Sequence, residues 1–396
     1  MGETERSRAE VGVWLLAGLA FVVGTVELVV AGVLDELAAS FAVSQGRAGL
    51  LMSLYALVYA LLGPLLVYLS AGIERRRLLA GALLVFIGAN LASAAAPSFA
   101  LLLASRLLVA ASASVIVVVA ITLAVAIVAP ERRGRAIGLV FAGIVASLVL
   151  GVPLGTLIGE FWGWRSLFLL LAGVALLGLP LRLLPAIPGA PGIAPAEQLR
   201  ALARGRVPFA HLASLLQMTG QFTVYTYIVP FLVGSMALDK PTISLVLLVY
   251  GGGGILGALL GGRAADRWPG PATFVAFLLL HALALVLLPF ATGGLPLLLG
   301  AVVFWCVFNM APGPAIQKYL VELSPDTAAI QISLNTSAIQ LGVALGAFIG
   351  AILVDQVAVR ALPWWGAALI LGAAACGWLS AQRPAAGTAD CRERLD

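Results

Sequence analysis

Charge is what this sequence has least of. Only 10% of its 396 residues are Asp, Glu, Lys or Arg, and the mean hydropathy is +1.08, against roughly 25% charged residues in an ordinary soluble domain. So few charges cannot clothe a water-soluble globule, which makes the chain an integral membrane protein. Cysteine is nearly as scarce: Cys306, Cys376 and Cys391 are an odd, scattered set without CxxC spacing, which indicates neither a disulfide framework nor a zinc site. There are two histidines, His211 and His281. Without HExxH, GxSxG or an acidic metal cluster, the sequence argues against an intramembrane enzyme and calls for no metal or other cofactor. No Walker motif is visible, so ATP is not the expected energy source. "GGGILG", Gly252–Gly257, fits GxGxxG, yet no strand precedes it and close helix packing accounts for its glycines.

What the sequence has in abundance is apolar length. A bilayer crossing needs about 20 mostly apolar residues, and twelve such runs stand out: 11–34, 46–71, 77–96, 99–128, 135–159, 164–184, 207–234, 242–265, 271–291, 295–320, 328–354 and 362–381. They lack the alternation of barrel strands, so the expected fold is an all-α polytopic bundle of twelve helices. The opening "MGETERSRAE" carries both signs of charge and no AxA-type cleavage site, so the first run reads as a retained helix rather than a signal peptide.

Placing the N-terminus in the cytoplasm puts eighteen of the 23 Lys and Arg residues on that side. Arg47, Arg165, Lys240 and Arg360 fall opposite, and Arg106 falls inside a span. That asymmetry is the positive-inside pattern, with both termini cytoplasmic and the protein in the cell inner (plasma) membrane. The net charge of +5 therefore reports topology, not a nucleic-acid partner. Of eight tryptophans only Trp305 lies well inside a run; the rest sit near span ends, as in an aromatic belt.

The longest polar break, Leu184–Val207, holds four prolines and then a short basic amphipathic turn. It divides the chain into an N-terminal six-helix bundle (1–184), a cytoplasmic linker (185–206), a C-terminal six-helix bundle (207–382) and a cytoplasmic tail (383–396). Sliding the chain by 195 residues lays Pro130–Gly155 over Pro325–Gly350, matching Pro130 with Pro325, Glu131 with Asp326, and Gly151/Gly155 with Gly346/Gly350. A matched turn and matched glycines indicate duplication. Parallel six-span repeats with a substrate site between them are the architecture of alternating access.

Within this apolar background a few residues demand a reason. An ionised residue at a helix centre costs about 2.5–3.5 kcal/mol on the insertion scale. Glu27 lies about 10 Å inside the outer end of the first span, and Arg106 about as far into the fourth span from the same side. The two share a depth. Dehydration favours the protonated carboxyl and a nearby guanidinium the ionised one, so Glu27 is either a proton-coupling group or a structural carboxylate held by backbone and hydroxyls. Gln217, Gln221 and Tyr225 form one polar stripe on the seventh span. Gln331 and Asn335 on the eleventh, Asn309 on the tenth, and Tyr55 and Tyr59 on the second add uncharged polar groups. Such residues either glue helices together or line a cavity. Two prolines in "NMAPGPAIQ", Asn309–Gln317, predict a kink or break in the tenth span.

Several stretches resemble the major facilitator superfamily, and within it the twelve-span drug and sugar:proton antiporters: "GTVELVVAGVLDELAASFAVS", "LLASRLLVAASAS", "GLVFAGIVASLVLGVPLGTLIGEFWGWRSLF" and "GGRAADRWPG". The resemblance implies that Glu27 and Arg106 border one central cavity and that Asp35 matches a second acidic position found in some of these exporters, although beside Glu36 at the outer membrane edge Asp35 also reads as a solvated cap. It also implies that Arg75, Asp266 and Arg267 belong to gating loops, and that Gly151, Pro153 and Gly155 form the fifth-span antiporter motif. The chain departs from the family at Ala71 and Glu74, where an aspartate and a glycine are usual, and at Val109, Ala110 and Ala111. The expected function is proton-driven efflux of a small amphipathic molecule, a drug, sugar or metabolite, by a transporter acting as a monomer. Import or facilitated diffusion of a small solute is the alternative.

Overall fold

The computed structural model describes residues 3–70, 72–129, 132–178, 184, 186–188, 195–203, 205–324 and 327–382. Ala71, Pro130, Glu131, Pro325, Asp326, Cys391 and the tail 383–396 lie outside the described residues, so the matched turn of the repeat is not seen.

The described residues form helices and connecting turns, with no strand among them. In chain order the helices are α1 (Glu3–Gly32), α2 (Leu34–Ser40), α3 (Gln45–Leu69), α4 (Arg75–Ala94), α5 (Phe99–Ala126), α6 (Arg133–Ala146), α7 (Val152–Trp162) and α8 (Trp164–Leu176). There follow α9 (Pro195–Leu202), α10 (Val207–Tyr225), α11 (Ile228–Met236), α12 (Lys240–Arg267), α13 (Gly270–Leu287), α14 (Leu295–Met310), α15 (Pro312–Leu323), α16 (Ala328–Gln356) and α17 (Leu362–Gln382). Among the described residues ten spans are long and apolar enough to cross a bilayer. The other two runs fall short for separate reasons. α8 is a 13-residue helix that ends at Leu176, with Leu177 and Gly178 in a turn, and the seventh run is both polar and broken at Thr226–Tyr227, because Pro230 has no N–H to give the Thr226 carbonyl.

Proline also shapes the fifth and tenth spans. Pro153 sits at the start of α7 and cannot donate one turn back, and a π turn, Ser147–Gly151, joins α6 to α7 at this point. At the repeat offset the second copy has Phe348, and α16 runs unbroken for 29 residues. The tenth span divides at Ala311, just before Pro312, as its two prolines lead one to expect.

The chain separates into two compact units: unit 1 is Met1–Gly192 with Leu238–Gly251, and unit 2 is Ile193–Ala237 with Gly252–Asp396. Each unit repeats one packing device. In unit 1 the fifth span lies on α1 through glycines: a Cβ on Gly143 would fall 2.2 Å from the Ala17 carbonyl oxygen, on Gly151 2.2 Å from Thr25 Oγ1, and on Gly155 2.2 Å from Val29 Cγ2. In unit 2, α16 lies on α10 the same way, with Gly346 2.3 Å from the Thr219 carbonyl oxygen and Gly350 2.6 Å from the Tyr227 ring. The duplicated glycines thus sit at equivalent helix pairs. Dispersion between closely approaching backbones replaces the hydrophobic driving force that lipid cannot supply.

Gly346→Ala should therefore destabilise the protein by about 1–3 kcal/mol, since its obstacle is backbone that cannot rotate away. Gly88→Ala, where a Cβ meets nothing within 4 Å, should change stability by less than about 0.5 kcal/mol. Thermal-shift measurement of the two variants in detergent checks the difference.

Candidate functional site

Unit 1 encloses a cation. Arg106 on α5 is 0% exposed, and its guanidinium lies 4.5 Å from the ring centroid of Tyr55 and 5.8 Å from that of Phe168. Nε, Nη1 and Nη2 reach no hydrogen-bond acceptor among the described residues. What offsets its burial is the quadrupole of the two rings and the carboxylate of Glu27. Glu27 is half-buried on α1 and close enough to act electrostatically on Arg106, Tyr55 and Tyr59. Tyr59 stacks on Tyr55 at 6.4 Å between centroids. Three helices, α1, α3 and α5, therefore bring together four of the residues singled out in the sequence. Phe168, which closes the second side of Arg106 from α8, carries no signal in an apolar sequence run.

Unit 2 gathers the polar stripe of α10 into buried networks. Gln221 Oε1 accepts from Trp305 Nε1 at 2.8 Å and pairs with His281 Nε2 at 3.1 Å. Tyr225 meets the Trp305 ring edge-on, 6.5 Å between centroids. Gln217 donates to the Asn309 carbonyl at 3.1 Å, and Asn335 to Ser214 Oγ at 3.0 Å. Gln331 Oε1 pairs with His211 Nε2 at 2.9 Å, while its Nε2 donates to the Ala201 carbonyl of α9 at 3.2 Å. Gln331 and Asn335 thus tie helices together in this structure, Gln331 also pinning the linker helix. His281 went unassigned in the sequence, although a titratable residue deep in an apolar span is itself a signal.

At the outer end of the first span Asp35 lies in the first turn of α2 and is engaged locally. It accepts from Gln45 Nε2 at 2.9 Å, and its neighbour Glu36 forms an ion pair with Lys240 at 3.2 Å. Burial pushes both carboxyls above their ordinary values, with Lys240 acting in the opposite sense; Glu160 and Asp35 push Glu36 further up. At the far ends, Glu74 holds Arg76 at 3.3 Å and Arg77 at 3.1 Å. Arg75, 6% exposed, donates its backbone N–H to the Ile187 carbonyl at 2.9 Å. The glutamate that departs from the usual family loop therefore has a local task, fixing the start of α4. Asp266 and Arg267 are exposed at the end of α12, and neither joins an ion pair among the described residues.

The family profile described as Major Facilitator Superfamily matches residues 16–239 and 210–393. The chain belongs to the major facilitator superfamily. It is 32% identical to "Uncharacterized MFS-type transporter YbcL" of Bacillus subtilis (strain 168) over 90% of this chain and 92% of that one. It is 30% identical to "Uncharacterized MFS-type transporter YtbD" of the same organism, over 92% and 93%. Among solved structures, a bacterial homologue of the human lysosomal transporter Spinster, in an inward-facing and unoccupied conformation, superposes with a TM-score of 0.77 at 18% identity, covering 96% of this chain and 98% of the other. A D-xylose-proton symporter superposes with a TM-score of 0.70 at 19% identity, covering 92% and 96%. This superfamily member is accordingly a multi-pass membrane transporter for a small molecule, not an enzyme, and the twelve-helix fold fits.

The raised Asp35 carboxyl gives a pH test. The folded state favours its protonated form, so ionisation costs stability; that cost is absent below the ordinary carboxylate range and complete above the raised value. Asp35→Asn, which keeps the acceptor for Gln45, should raise the melting temperature at pH 7.5 by about 1–2 °C. The gain should disappear as the pH falls below about 4, and a melting series across pH reads both.

Proposed function

We propose that this transporter exports a small amphipathic molecule in exchange for protons, by alternating access, with Glu27 as the proton-binding group and Arg106 as its electrostatic partner. It acts as a monomer in the cell inner membrane with both termini cytoplasmic, the side favoured by the distribution of Lys and Arg. The observation that carries this reading is the Arg106 guanidinium: fully enclosed, bonded to no acceptor among the described residues, and placed within electrostatic reach of a half-buried carboxylate.

The coupling follows from that arrangement. With Glu27 ionised, the enclosed charges sum to zero and the packing of α1 on α3 and α5 is favoured. When Glu27 takes a proton, Arg106 keeps its charge and loses its counter-charge, leaving only the faces of Tyr55 and Phe168. Proton binding therefore weakens one arrangement of these helices relative to another, which is the differential affinity a switch requires. The polar groups of unit 2, Gln217, Gln221, Tyr225, Asn309, Gln331 and Asn335, are buried in networks that must exchange partners if a substrate is to reach them. Gly151, Pro153 and Gly155, with Gly346 and Gly350, are the packing positions about which such movement is transmitted. Arg75, Asp266 and Arg267 serve as gating residues at the cytoplasmic ends, and Asp35 contributes weakly to coupling. The solved D-xylose-proton symporter shares the fold and by its name couples sugar to protons; the same acid and base would serve import if binding order were reversed.

A pH difference of one unit supplies about 1.4 kcal/mol per proton, enough for about tenfold accumulation in one-for-one exchange. In liposomes with that gradient, a panel of amphipathic dyes, sugars and nucleosides should show one accumulated class with wild-type protein. Glu27→Gln should abolish accumulation while retaining substrate counterflow at equal pH. An equal gradient response in both proteins would remove Glu27 from coupling, and accumulation in the direction of proton flow would mark an importer.

A further inference from the structure

A cavity of about 560 Å³ lies between the N-terminal part of α1, the end of α5 and the first turns of α6, wholly within unit 1. Its size falls in the range of small-molecule sites, about 300–1,000 Å³, and its walls have their composition, mostly apolar with a few polar groups. The sequence offers no hint of it, because its parts are ordinary span-end residues.

Two features of its lining set the chemistry. Along α6, Arg135, Leu139 and Ala142 follow one another at helical spacing on the cavity side, so one end is cationic and the floor becomes small and apolar about 10 Å further on. Gly138, also in the lining, leaves open space where a side chain would stand. From α1 comes Trp14, 65% exposed, a broad apolar face one turn from Glu10. Arg132 Nη1 lies 3.2 Å from Glu10 Oε1, while Arg135 is exposed and enters no ion pair among the described residues, so the described lining sets two guanidinium groups against one carboxylate.

We propose that this groove is a docking site for a small amphipathic monoanion, whose acidic group meets Arg135 and whose apolar body lies against Trp14 over the floor of Gly138 and Ala142. The assignment rests on the transporter reading and names its substrate class. A cation is repelled at the mouth, and a polyhydroxylated sugar finds too few hydrogen-bond partners along the walls.

The test uses the full chain in phosphatidylcholine nanodiscs and three matched probes, 1-naphthoate, 1-naphthamide and 1-naphthylmethylammonium, with calorimetric titration. Naphthoate should bind about tenfold more tightly than the amide, or 1.4 kcal/mol, and the ammonium should bind most weakly. Arg135→Gln should erase the preference for naphthoate and leave amide affinity near wild type. Trp14→Ala should weaken all three probes alike, Trp14→Phe should restore most of the loss, and Trp268→Phe, a change at another exposed tryptophan, should have no effect. Equal affinity for the three probes, or indifference to both Arg135→Gln and Trp14→Ala, overturns the proposal. So does loss of naphthoate binding when a tenth of the lipid is replaced by phosphatidylglycerol, which would mark the groove as a lipid site. Binding is read without a gradient, so its failure alongside Glu27-dependent accumulation sinks this site alone. Intact naphthoate selectivity with Glu27-independent accumulation sinks the coupling instead.

Discussion

A guanidinium closed inside membrane-spanning helices has to find its compensation within the protein, because lipid provides neither counter-charge nor hydrogen-bond acceptor. Arg106 meets that demand with two aromatic faces and one carboxylate. The arrangement requires α1, α3, α5 and α8 to approach closely at one depth, while glycines on the fifth span seat the same α1 against α6 and α7. Packing and electrostatics are thus coupled in unit 1, so that a change in the charge of Glu27 is also a change in what holds the helices together.

Unit 2 solves the same problem of polar groups in an apolar medium without net charge. Gln221 serves two donors from two other helices, and Gln331 joins α10, α16 and the linker helix. The contrast suits a division of labour in which one unit carries the titrating group and the other a neutral, rearrangeable polar lining. The matched glycine positions fall at corresponding helix pairs: α16 packs on α10 as the fifth span packs on α1.

The sequence discloses the fold well because the bilayer writes it in simple terms, apolar runs of fixed length and cations on one side. It also discloses Glu27 and Arg106, since a charge in such a run stands out, and in the structure the two lie within electrostatic reach of each other. It discloses much less about which uncharged polar residues face a cavity. Gln331 and Asn335 look the same in sequence whether they glue helices or meet a ligand, and only their partners, His211 with Ala201 and Ser214, tell which they do in this structure. The partners of a residue are also hidden when they are chemically ordinary: Phe168 beside Arg106, Trp14 above the groove, and Lys240, two hundred residues away in the chain from the Glu36 it pairs with. Glu74 looks like a departure from the family loop until its two arginines are seen.

The central claim is that Glu27 gains and loses a proton as the transporter works. Infrared difference spectroscopy of the protein in lipid, stepped through pH, reads this directly as a carboxylic C=O band that grows as carboxylate bands fall. The account predicts that one component of this titrating band is lost in Glu27→Gln and kept in Asp35→Asn. A titration identical in wild type and Glu27→Gln would contradict it and leave Glu27 as a fixed counter-charge for Arg106.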